Sequence, residues 1–356
     1  MMERSYTETL QWRHLRYVRW TDDQDDIPRG TVSWEGRLLF GYPRIGRILN
    51  LRVGLSEQFG DAFWVEEKVD GFNVRIARLG PDIVAFTRGG FLCPFTTDRL
   101  PDLMPMDIFA KMPDLVICAE VAGPESPYAE ASPPYVQEDV GLFVFDMMRL
   151  GQPGFLPQQQ VYELADAYGL PMVERLGRWH ASDSEHIAGM LARLDAEGKE
   201  GAVFKAVDAS RRIKYTTAHA SLEDIGVAAP QLNDFSADYY IQRILRLALF
   251  LDEQGKKVDA ALERQLGAAF LEGLEASIEQ LRAHGRVFHR YRCRFRTERA
   301  AREMMDHLVR LSGKRVNVRI HGLECDGGYW RLSFERQPAV MTGLLSHLLK
   351  GGELFD

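Results

Sequence analysis

Residues 68–75 read Lys-Val-Asp-Gly-Phe-Asn-Val-Arg and follow two glutamates, Glu66 and Glu67. A lysine on a turn between two strands, followed by Asp-Gly, can act as a nucleophile once its ammonium group has lost a proton. Neighbouring cations, a dehydrated pocket or a metal-bound phosphate would favour that free amine. Gly71 would let the backbone turn sharply and let a bulky ligand approach. The alternative is an ordinary surface turn, because a bare KxDG pattern also arises by chance.

The composition around this stretch is that of a soluble globular protein. The chain has 356 residues, of which 46% are hydrophobic and 27% charged, and its formal net charge is −7. This length predicts two or three domains. The composition excludes a disordered, collagen-like or fibrous main state. A net acidic chain does not coat DNA through its overall charge, although a local basic surface can still bind a polyanion.

The cysteines and the apolar segments predict a reduced, cytoplasmic protein. The four cysteines form no CxxC pair and no disulfide framework, and no histidines complete a zinc-binding pattern with them. The first residues lack the apolar region of a signal peptide, and no apolar run approaches the roughly 18 residues of a membrane span. We therefore expect no membrane partner. The cysteines are Cys93, Cys118, Cys293 and Cys325.

Changes in pattern divide the chain into four segments. We predict an N-terminal α/β module at 1–60, a strand-rich α+β domain at 61–228, a helical segment at 229–285 and a C-terminal βαββα domain at 286–356. Thr31–Phe40 reads as a hairpin around Glu35-Gly36. The strands predicted in the second segment are Phe63–Glu67, Val74–Ala77, Ile83–Phe86, Leu115–Val121, Val140–Met147, Ala202–Ala206 and Arg212–Tyr215. The helices predicted there are Pro157–Tyr168 and Ser184–Glu197.

Two long amphipathic helices are predicted in the third segment. Ser236 is a suitable N-cap, and apolar residues follow at helical spacing until Gly255. The second helix runs from about Val258 to His284. Two such helices cannot bury both apolar faces alone, so they dock on the rest of the chain or on a second copy. The apolar residues are Tyr240, Ile244, Leu247 and Leu251, then Leu262, Leu266, Phe270, Leu274, Ile278 and Leu281.

The fourth segment begins with a strand of alternating arginines. A period of two places Arg290, Arg292, Arg294 and Arg296 on one face of a small sheet. This face is a candidate RNA track, because guanidinium groups bind phosphates and stack on bases. The alternative is a solvated face whose arginines pair with Glu298, Glu303 or other acidic residues. We also expect Thr297 to cap the following helix, Gly313 to end it, and Lys314–Ile320 and Trp330–Glu335 to be strands.

Five more short motifs follow residues 68–75 in order. With that octet they resemble the six motifs of the covalent nucleotidyltransferases, which are DNA ligases, RNA ligases and mRNA capping enzymes. Six motifs in the right order, each on a plausible strand, occur together by chance far less often than any one of them. The five are Thr87–Gly90, Val116–Glu120, Gly141–Asp146, Glu200–Lys205 and Arg212–Tyr215.

Within that superfamily the chain is most similar to the dimeric archaeal-type ATP-dependent RNA ligases. The resemblance rests on the octet, on Gly41–Arg44, on Lys214–Thr217, and on helices followed by a small α/β domain where DNA ligases and capping enzymes have an OB-fold. It implies an α+β fold: a ligase-type nucleotidyltransferase domain of antiparallel sheets with flanking helices at 61–228, a helical segment and a small α/β C-terminal domain. It also implies a homodimer formed through 229–285.

The resemblance assigns roles at a nucleotide site. Lys68 would attack the α-phosphate of ATP and form lysyl-AMP, and Glu66 would help to read the adenine, partly through its backbone. Arg75 and Glu120 would bind the ribose. Arg88 would act at the ribose and at the incoming 5'-phosphate.

The resemblance also assigns the base contact, the phosphate contacts and the metal. Phe145 would stack on the adenine, with Phe143 as the other candidate; alternating phenylalanines are otherwise ordinary core residues. Lys205 and Lys214 would both lie near the α-phosphate, and which of them holds it stays open. Glu200, with Asp70 in support, would bind a divalent metal, Mg²⁺ or Mn²⁺, because phosphate oxygens need charge cancellation during transfer.

These roles imply an ATP-dependent RNA ligase. It would join 5'-phosphate and 3'-hydroxyl ends of single-stranded RNA, including the two ends of one molecule, through lysyl-AMP and adenylylated RNA. One alternative is another covalent nucleotidyltransferase that uses DNA ends or GTP. A second is a non-catalytic RNA-binding protein on a ligase scaffold. The residues do not identify the natural RNA, nor do they separate circles from intermolecular joints.

Overall fold

The computed structural model describes residues 6–128, 131, 133–311 and 316–354, and it begins with a four-stranded antiparallel sheet. The predicted hairpin is confirmed, because Glu35 and Gly36 both have positive φ angles, of 48° and 77°, and join two of these strands. The strands are β1 (Thr7–Trp12), β2 (Leu15–Trp20), β3 (Val32–Trp34) and β4 (Arg37–Leu39). The β1–β2 pair was not predicted.

The central domain contains two sheets with flanking helices. Its strands are β5 (Gly46–Arg47), β6 (Phe63–Lys68), β7 (Phe72–Leu79), β8 (Asp82–Thr87), β9 (Leu115–Ala122), β10 (Gly141–Arg149), β11 (Arg175–Trp179), β12 (Gly201–Ala206) and β13 (Arg212–Thr216). Its helices are α1 (Leu51–Gln58), α2 (Pro94–Leu103), α3 (Ile108–Lys111), α4 (Gln158–Tyr168), α5 (Ser184–Ala196) and α6 (Ala218–Ala228). All seven predicted strands and both predicted helices are present.

The two sheets have the orders β10-β9-β7-β8 and β11-β6-β12-β13-β5. Their strand pairs are antiparallel except β13–β5, which is parallel. Although the sequence placed β5 and α1 in the N-terminal module, β5 extends the second sheet and α1 packs in its core through Leu51 and Leu55. Short elements of this kind carry little periodicity, which is why the sequence did not show that they join the second sheet.

The strand period brings polar residues of the second sheet onto one face. On β6, Phe63 and Val65 point into a core with Phe204 and Ile213, so Glu66 and Lys68 occupy the opposite face. The register pairs Glu66 with Val203 and Lys68 with Gly201, and it pairs Val203 with Lys214 on β13. The same face therefore collects these residues: Glu66, Lys68, Val203, Lys205, Arg212 and Lys214.

The predicted helical segment contains α7 (Ala237–Glu253) and α8 (Ala260–His284). Ser236 occupies the N-cap position of α7, and Asp259 caps α8 by accepting hydrogen bonds from the backbone of Ala261 and Leu262. Leu247 and Leu251 of α7 pack against the central domain, whereas Ile244 is 41% exposed and faces away. The predicted apolar face of α7 is thus only partly buried within the chain. Among the described residues, no helix is long and apolar enough to cross a membrane.

The C-terminal domain has the predicted βαββα order. Its elements are β14 (His289–Phe295), α9 (Glu298–Leu311), β15 (Val316–Asp326), β16 (Tyr329–Pro338) and α10 (Ala339–Leu349), and its antiparallel sheet has the order β14-β16-β15. The Thr297 hydroxyl accepts a hydrogen bond from the Ala300 amide, which confirms the predicted cap. Gly313, Lys314 and Arg315 lie outside the described residues.

Side-chain bonds attach this C-terminal domain to the rest of the protein. Arg294 Nε donates to Glu125 over 2.6 Å, and the Thr297 hydroxyl bonds Asp98 over 2.6 Å. Glu303 on α9 accepts a hydrogen bond from Trp12 of β1 over 3.0 Å. The C-terminal domain therefore contacts both the central domain and the N-terminal sheet.

Candidate active site

A cavity of about 510 Å³ lies in the central domain, with residues of both sheets in its walls. The second sheet provides Glu66, Lys68, Lys205 and Lys214, the polar face described above. The first sheet provides Asn73 of β7, Glu120 of β9 and Phe145 of β10. Five of the six sequence motifs contribute to these walls, and Arg88 contributes from the sixth. All six motifs therefore meet in one cavity.

Lys68 forms an ion pair with Glu200 inside the protein. Burial works against its charged form, but the carboxylates of Glu200, Glu120 and Asp70 outweigh burial and raise the pKa of Lys68 above its usual value. The resting side chain is therefore an ammonium ion. It can become a nucleophile only when those negative charges are drawn to something else.

The acidic residues around Lys68 repel one another. Burial and then the charge of Glu200 raise the pKa of Asp70 to about 7. Burial also raises the pKa of Glu120 to about 8, against the opposing charge of Lys68. Such crowded carboxylates suit a divalent cation, which relieves their repulsion.

Asp70 and Glu200 fit the donor chemistry of Mg²⁺ or Mn²⁺, both of which prefer carboxylate oxygens. Among the described residues, no group of three or more His, Cys, Asp or Glu side chains is placed to hold a metal ion. A cation here would therefore need further oxygen ligands from a substrate, as Mg²⁺ commonly does with phosphates.

Lys205 and Lys214 occupy different environments. Lys205 is buried and pairs with Glu66 over 2.5 Å and with Asp146 over 3.4 Å. Burial, followed by Lys68 and Arg47, lowers the pKa of Lys214 to about 8. Within the described part of the chain the Lys214 ammonium has no hydrogen-bond or ion-pair partner. The geometry therefore favours Lys214 as the lysine available to a phosphate.

Phe145 and not Phe143 lines the cavity. The Phe145 ring meets Tyr42 edge-on, with ring centres 5.4 Å apart, and the ammonium of Lys205 lies 5.6 Å from its centre. Phe143 packs with Val69, Ala122 and Val173, a cluster that Phe145 also contacts, and its ring meets Tyr135 edge-on. Of the two candidates, only Phe145 is placed to stack on a base in this cavity.

Arg75 does not reach the cavity, so the predicted ribose contact does not fit the structure. It is completely buried, and its guanidinium donates to the backbone carbonyls of Gly30, Leu39, Phe40 and Thr87. Arg75 therefore joins the N-terminal sheet to the central domain. The assignment failed because a sequence motif does not show which donors the backbone already uses.

Asn73, two residues before Arg75, was missed by the sequence analysis. It lies directly opposite Glu120 in the β7–β9 register and lines the cavity. Its side-chain oxygen is buried without a hydrogen-bond partner among the described residues. A period of two from Arg75 along β7 could have suggested it.

Gly71 allows the strand β9 to approach closely. A Cβ atom at this position would lie 2.4 Å from the carbonyl oxygen of Val121 on β9. Any larger residue would therefore push the Lys68 turn away from the strand that carries Glu120. Gly71 also lines the cavity, so the close approach of a bulky ligand stays a prediction.

Buried polar side chains next to the cavity form a hydrogen-bonded network. Arg212 binds both carboxylate oxygens of Asp146, over 2.9 Å and 2.8 Å, and the Tyr42 hydroxyl donates to Asp146 over 2.7 Å. Burial raises the pKa of Asp146, but Lys205 and Arg212 outweigh burial and lower it overall. Glu66 joins the network through Lys205 and accepts hydrogen bonds from Gln158 and Tyr162. These roles were not predicted.

Acidic residues pair with most of the four arginines at positions 290–296, which lie on β14 or just after it. Arg290 binds the buried Glu335 over 3.1 Å, Arg294 binds Glu125, and Arg296 lies 3.3 Å from Asp102. Only Arg292 of the four has no acidic partner among the described residues. The structure therefore supports the pairing alternative for three arginines, with partners other than the predicted Glu298 and Glu303.

The site and the fold define a class: two sheets, antiparallel but for one strand pair, with a cavity between them that is lined by Lys68, Lys214 and carboxylates. Comparison with known proteins agrees with it. Residues 61–216 match the family described as RNA ligase, and residues 227–352 match the family described as Ligase Pab1020 C-terminal region. Both matches lie side by side along this chain.

Solved structures resemble this protein over nearly its whole length. A putative ATP-dependent DNA ligase from Aquifex aeolicus is 47% identical, with 98% of this chain and 97% of that chain covered and a TM-score of 0.94. Form 2 of an archaeal ATP-dependent RNA ligase is 30% identical, with coverage of 99% and 94% and a TM-score of 0.90.

A curated but uncharacterised protein of Methanocaldococcus jannaschii is 26% identical over 314 residues, which are 85% of this chain and 79% of that protein. With the two family matches and the solved structures, the conclusion is plain. The chain belongs to the archaeal-type ATP-dependent RNA ligase family. The family and the fold predicted from the sequence are thereby confirmed.

Proposed function

We propose that this protein is an ATP-dependent RNA ligase that joins 5'-phosphate and 3'-hydroxyl ends of single-stranded RNA through lysyl-AMP. One observation carries the proposal: Lys68 and the unpaired Lys214 line the same cavity in a chain that belongs to the RNA ligase family. A nucleophilic lysine beside a free cation is what attack on a phosphate needs.

The first step forms the covalent intermediate. The Lys68 amine attacks the α-phosphorus of ATP, a P–N bond forms, and the P–O bond to pyrophosphate breaks. Lys68 must first lose its proton to solvent, because Glu200, its ion-pair partner, does not accept a proton while it holds a cation. Lys214 offsets the charge that accumulates on the α-phosphate oxygens.

A divalent cation held by Asp70 and Glu200 would supply positive charge to the phosphate oxygens. The same carboxylates raise the pKa of Lys68 in the free protein. Engaging them elsewhere would lower that pKa and favour the free amine. The acidic residues thus keep Lys68 protonated until the cation and the nucleotide bind.

Two further transfers complete ligation. An oxygen of the RNA 5'-phosphate attacks the AMP phosphorus, the P–N bond breaks, and Lys68 leaves with a proton. A 3'-hydroxyl then attacks the RNA phosphorus of this 5'-5' pyrophosphate, and AMP departs. Arg88, which lines the cavity with one bond to the Pro43 carbonyl, is placed for the incoming 5'-phosphate. Both steps apply equally to two RNA molecules or to the two ends of one.

Covalent labelling tests the proposal. Protein freed of bound AMP with pyrophosphate is mixed with Mg²⁺ and ATP labelled on the α-phosphate, and then run on a denaturing gel. We expect label on the wild type and on Lys111→Ala, an exposed control, and none on Lys68→Ala. Label from GTP instead would indicate capping-like chemistry. A folded wild type without label from either nucleotide would support the non-catalytic alternative.

A second candidate function is DNA ligation, since the Aquifex aeolicus structure is described as a putative DNA ligase. Matched 5'-phosphorylated single-stranded RNA, single-stranded DNA and nicked duplex DNA distinguish the two. We expect the labelled protein to pass AMP to RNA and to seal it fastest. Faster sealing of nicked DNA would replace the RNA assignment with the DNA one.

We also propose that the protein is a homodimer formed through residues 229–285. Ile241, Ile244 and Leu245 lie at helical spacing on α7 and are exposed, which leaves an apolar stripe uncovered in the single chain. Ile241→Glu with Leu245→Glu should dissociate the dimer in sedimentation, whereas Val309→Glu, at an exposed position on α9, should not. A wild type that sediments as a monomer at every concentration would exclude the dimer.

The cysteines support the cytoplasmic location predicted from the sequence. All four are free, and Cys93, Cys118 and Cys293 are buried. Free thiols persist in a reducing compartment.

A further inference from the structure

One part of the cavity wall is aromatic and separate from Phe145. Phe72, Phe91, Tyr128 and His307 form what we name the aromatic compartment, and all four line the cavity. Phe72 meets Tyr128 edge-on with ring centres 4.8 Å apart, and Phe91 meets His307 at 5.8 Å. The Phe145 ring instead contacts Tyr42. The cavity therefore has two aromatic surfaces, and the stacking proposed for AMP on Phe145 uses only one of them.

His307 is the polar member of the aromatic compartment. It is 6% exposed, and its Nε2 atom has no hydrogen-bond partner among the described residues. Burial, then Arg310 and Arg336, lower the pKa of His307 to about 4, so the ring is neutral near pH 7. A buried polar atom without a partner is costly, which points to a ligand that supplies one.

The C-terminal domain contributes His307 and therefore completes the cavity. His307 lies on α9, whose cap Thr297 bonds Asp98 of the central domain, and Glu303 one turn earlier bonds Trp12. These bonds hold α9 against the cavity. No other residue of the C-terminal domain lines the cavity in the described part of the chain.

The aromatic compartment adjoins the residue proposed for the RNA 5'-phosphate. Arg88, Gly89 and Phe91 belong to one segment after β8, and all three line the cavity. A nucleotide whose phosphate contacts Arg88 would have its base within reach of Phe91. Phe91 itself is held from behind by Arg19, which lies 3.8 Å from its ring centre.

We propose that the aromatic compartment binds the base of the 5'-terminal nucleotide of the RNA, whose phosphate receives AMP. Phe91 and Tyr128 provide ring surface for stacking, and His307 Nε2 bonds a polar edge of the base. Every base has a π-face, so stacking accepts any sequence, and single-stranded ends leave the base free to enter. This inference rests on the proposed function.

The test compares two RNA substrates in the second step alone. Lysyl-AMP protein is prepared with ATP, freed of nucleotide, and mixed with 5'-phosphorylated RNA whose first nucleotide either carries its base or is abasic. AMP transfer is followed in a single turnover. We expect the wild type to be at least about 10-fold slower on the abasic RNA. In His307→Ala and Phe91→Leu this ratio should fall to about 3-fold or less.

A matched variant and a separate readout control for damage to the fold. Val309→Ala, on the exposed face of α9, should keep the wild-type ratio. His307→Ala and Phe91→Leu are compared at equal amounts of lysyl-AMP, so that a change in the first step does not enter the ratio. An unchanged ratio in both variants, with lysyl-AMP intact, would overturn the inference and leave the proposed function standing.

A third arm distinguishes the two RNA ends. Pre-adenylylated RNA is sealed to acceptors whose 3'-terminal nucleotide carries its base or is abasic. If His307→Ala changes this ratio and leaves the 5'-end ratio unaltered, the aromatic compartment serves the 3'-hydroxyl end and the inference is wrong. If the wild type forms no lysyl-AMP at all, it is the proposed function that fails.

Discussion

The cavity and the arginine strand, residues 290–296, both collect basic side chains, but they use them differently. In the cavity Lys214 has no acidic partner among the described residues, and its pKa is lowered to about 8. On the arginine strand, Arg290, Arg294 and Arg296 each bind a carboxylate. An unpaired cation in a cavity is held for a ligand, whereas a paired cation contributes to the fold. The sequence shows basic residues in both regions, but it does not show which of them will be paired with a carboxylate.

Replacing Lys214 should give the largest effect. Lys214→Ala should slow lysyl-AMP formation by about 10³-fold, or roughly 4 kcal/mol, because a preorganised charge at the phosphate is lost. Its thermal unfolding temperature should not fall, since no ion pair is broken. Arg149→Ala is the contrast: Arg149 donates to Asp114 over 2.9 Å outside the cavity, so this variant should label normally and melt earlier. A lower unfolding temperature for Lys214→Ala would contradict this prediction, because it would show that Lys214 also stabilises the fold.

The buried Glu335 offers the next largest effect, on stability. Burial would raise its pKa, but hydrogen bonds from Arg286, His321 and Arg290 outweigh burial and lower the pKa of Glu335 to about 2. A carboxylate with a lowered folded-state pKa stabilises the protein above its unfolded value and loses this as pH falls towards 2. Glu335→Gln should therefore lower the free energy of unfolding by about 2 kcal/mol at pH 7.

Denaturant unfolding at several pH values checks this prediction. The difference between wild type and Glu335→Gln should shrink as pH falls from about 4.5 through 2, because only below pH 2 are both side chains largely uncharged. Lysyl-AMP formation at pH 7 should be unaffected. A difference that persists unchanged at low pH would show that lost packing, and not the charge, causes the effect.

The pKa of Lys214 predicts a smaller effect, on nucleotide affinity. Phosphate favours the charged amine, so binding raises the pKa of Lys214 above its free value of about 8. Affinity should be full below pH 8 and should fall as pH rises through it, by about 10-fold at pH 9. Binding is measured with an ATP analogue whose α,β-bridge cannot be cleaved, which prevents the covalent step and keeps the charge of Lys68. Lys214→Ala should show a flat profile, and an equally steep one would assign the effect to another group.

The arginine strand itself should show the smallest effects. Arg294→Ala removes the hydrogen bonds to Glu125 and should reduce the free energy of unfolding by about 1 kcal/mol. Arg292→Ala removes a side chain with no acidic partner among the described residues and should change stability by less than about 0.5 kcal/mol. Equal losses would mean that the ion pair is not what distinguishes them. A marked loss of RNA affinity in Arg292→Ala alone would restore a role in RNA binding to this one residue.

Much of the fold was predictable because its strands carry strong local patterns. β13 alternates polar and apolar residues, and the order of the strands in the chain matched the family motifs. The short elements β5 and α1 were missed because a two-residue strand and an eight-residue helix show too few repeats of any period. β5 exists through its pairing with β13, which is distant in sequence.

The candidate site was predictable to a lesser degree. Lys68, Glu66, Glu120 and Lys214 lie in the cavity as the resemblance implied. Arg75 does not, because four backbone carbonyls already occupy its guanidinium. Asn73 and His307 went unnoticed, because nothing near them in the sequence shows that a buried polar atom will lack a partner.

Local chemistry along the chain therefore accounts for the nucleophile, the strand alternation and the βαββα order of the last domain. The periods of strands and helices act over a few residues, and the sequence displays them directly. Which side chains meet depends on residues that are far apart in the chain. Arg294 contacts Glu125, and His307 contacts Phe91, only after the domains pack. Burial then decides whether each polar group finds a partner in the protein or is left for a ligand.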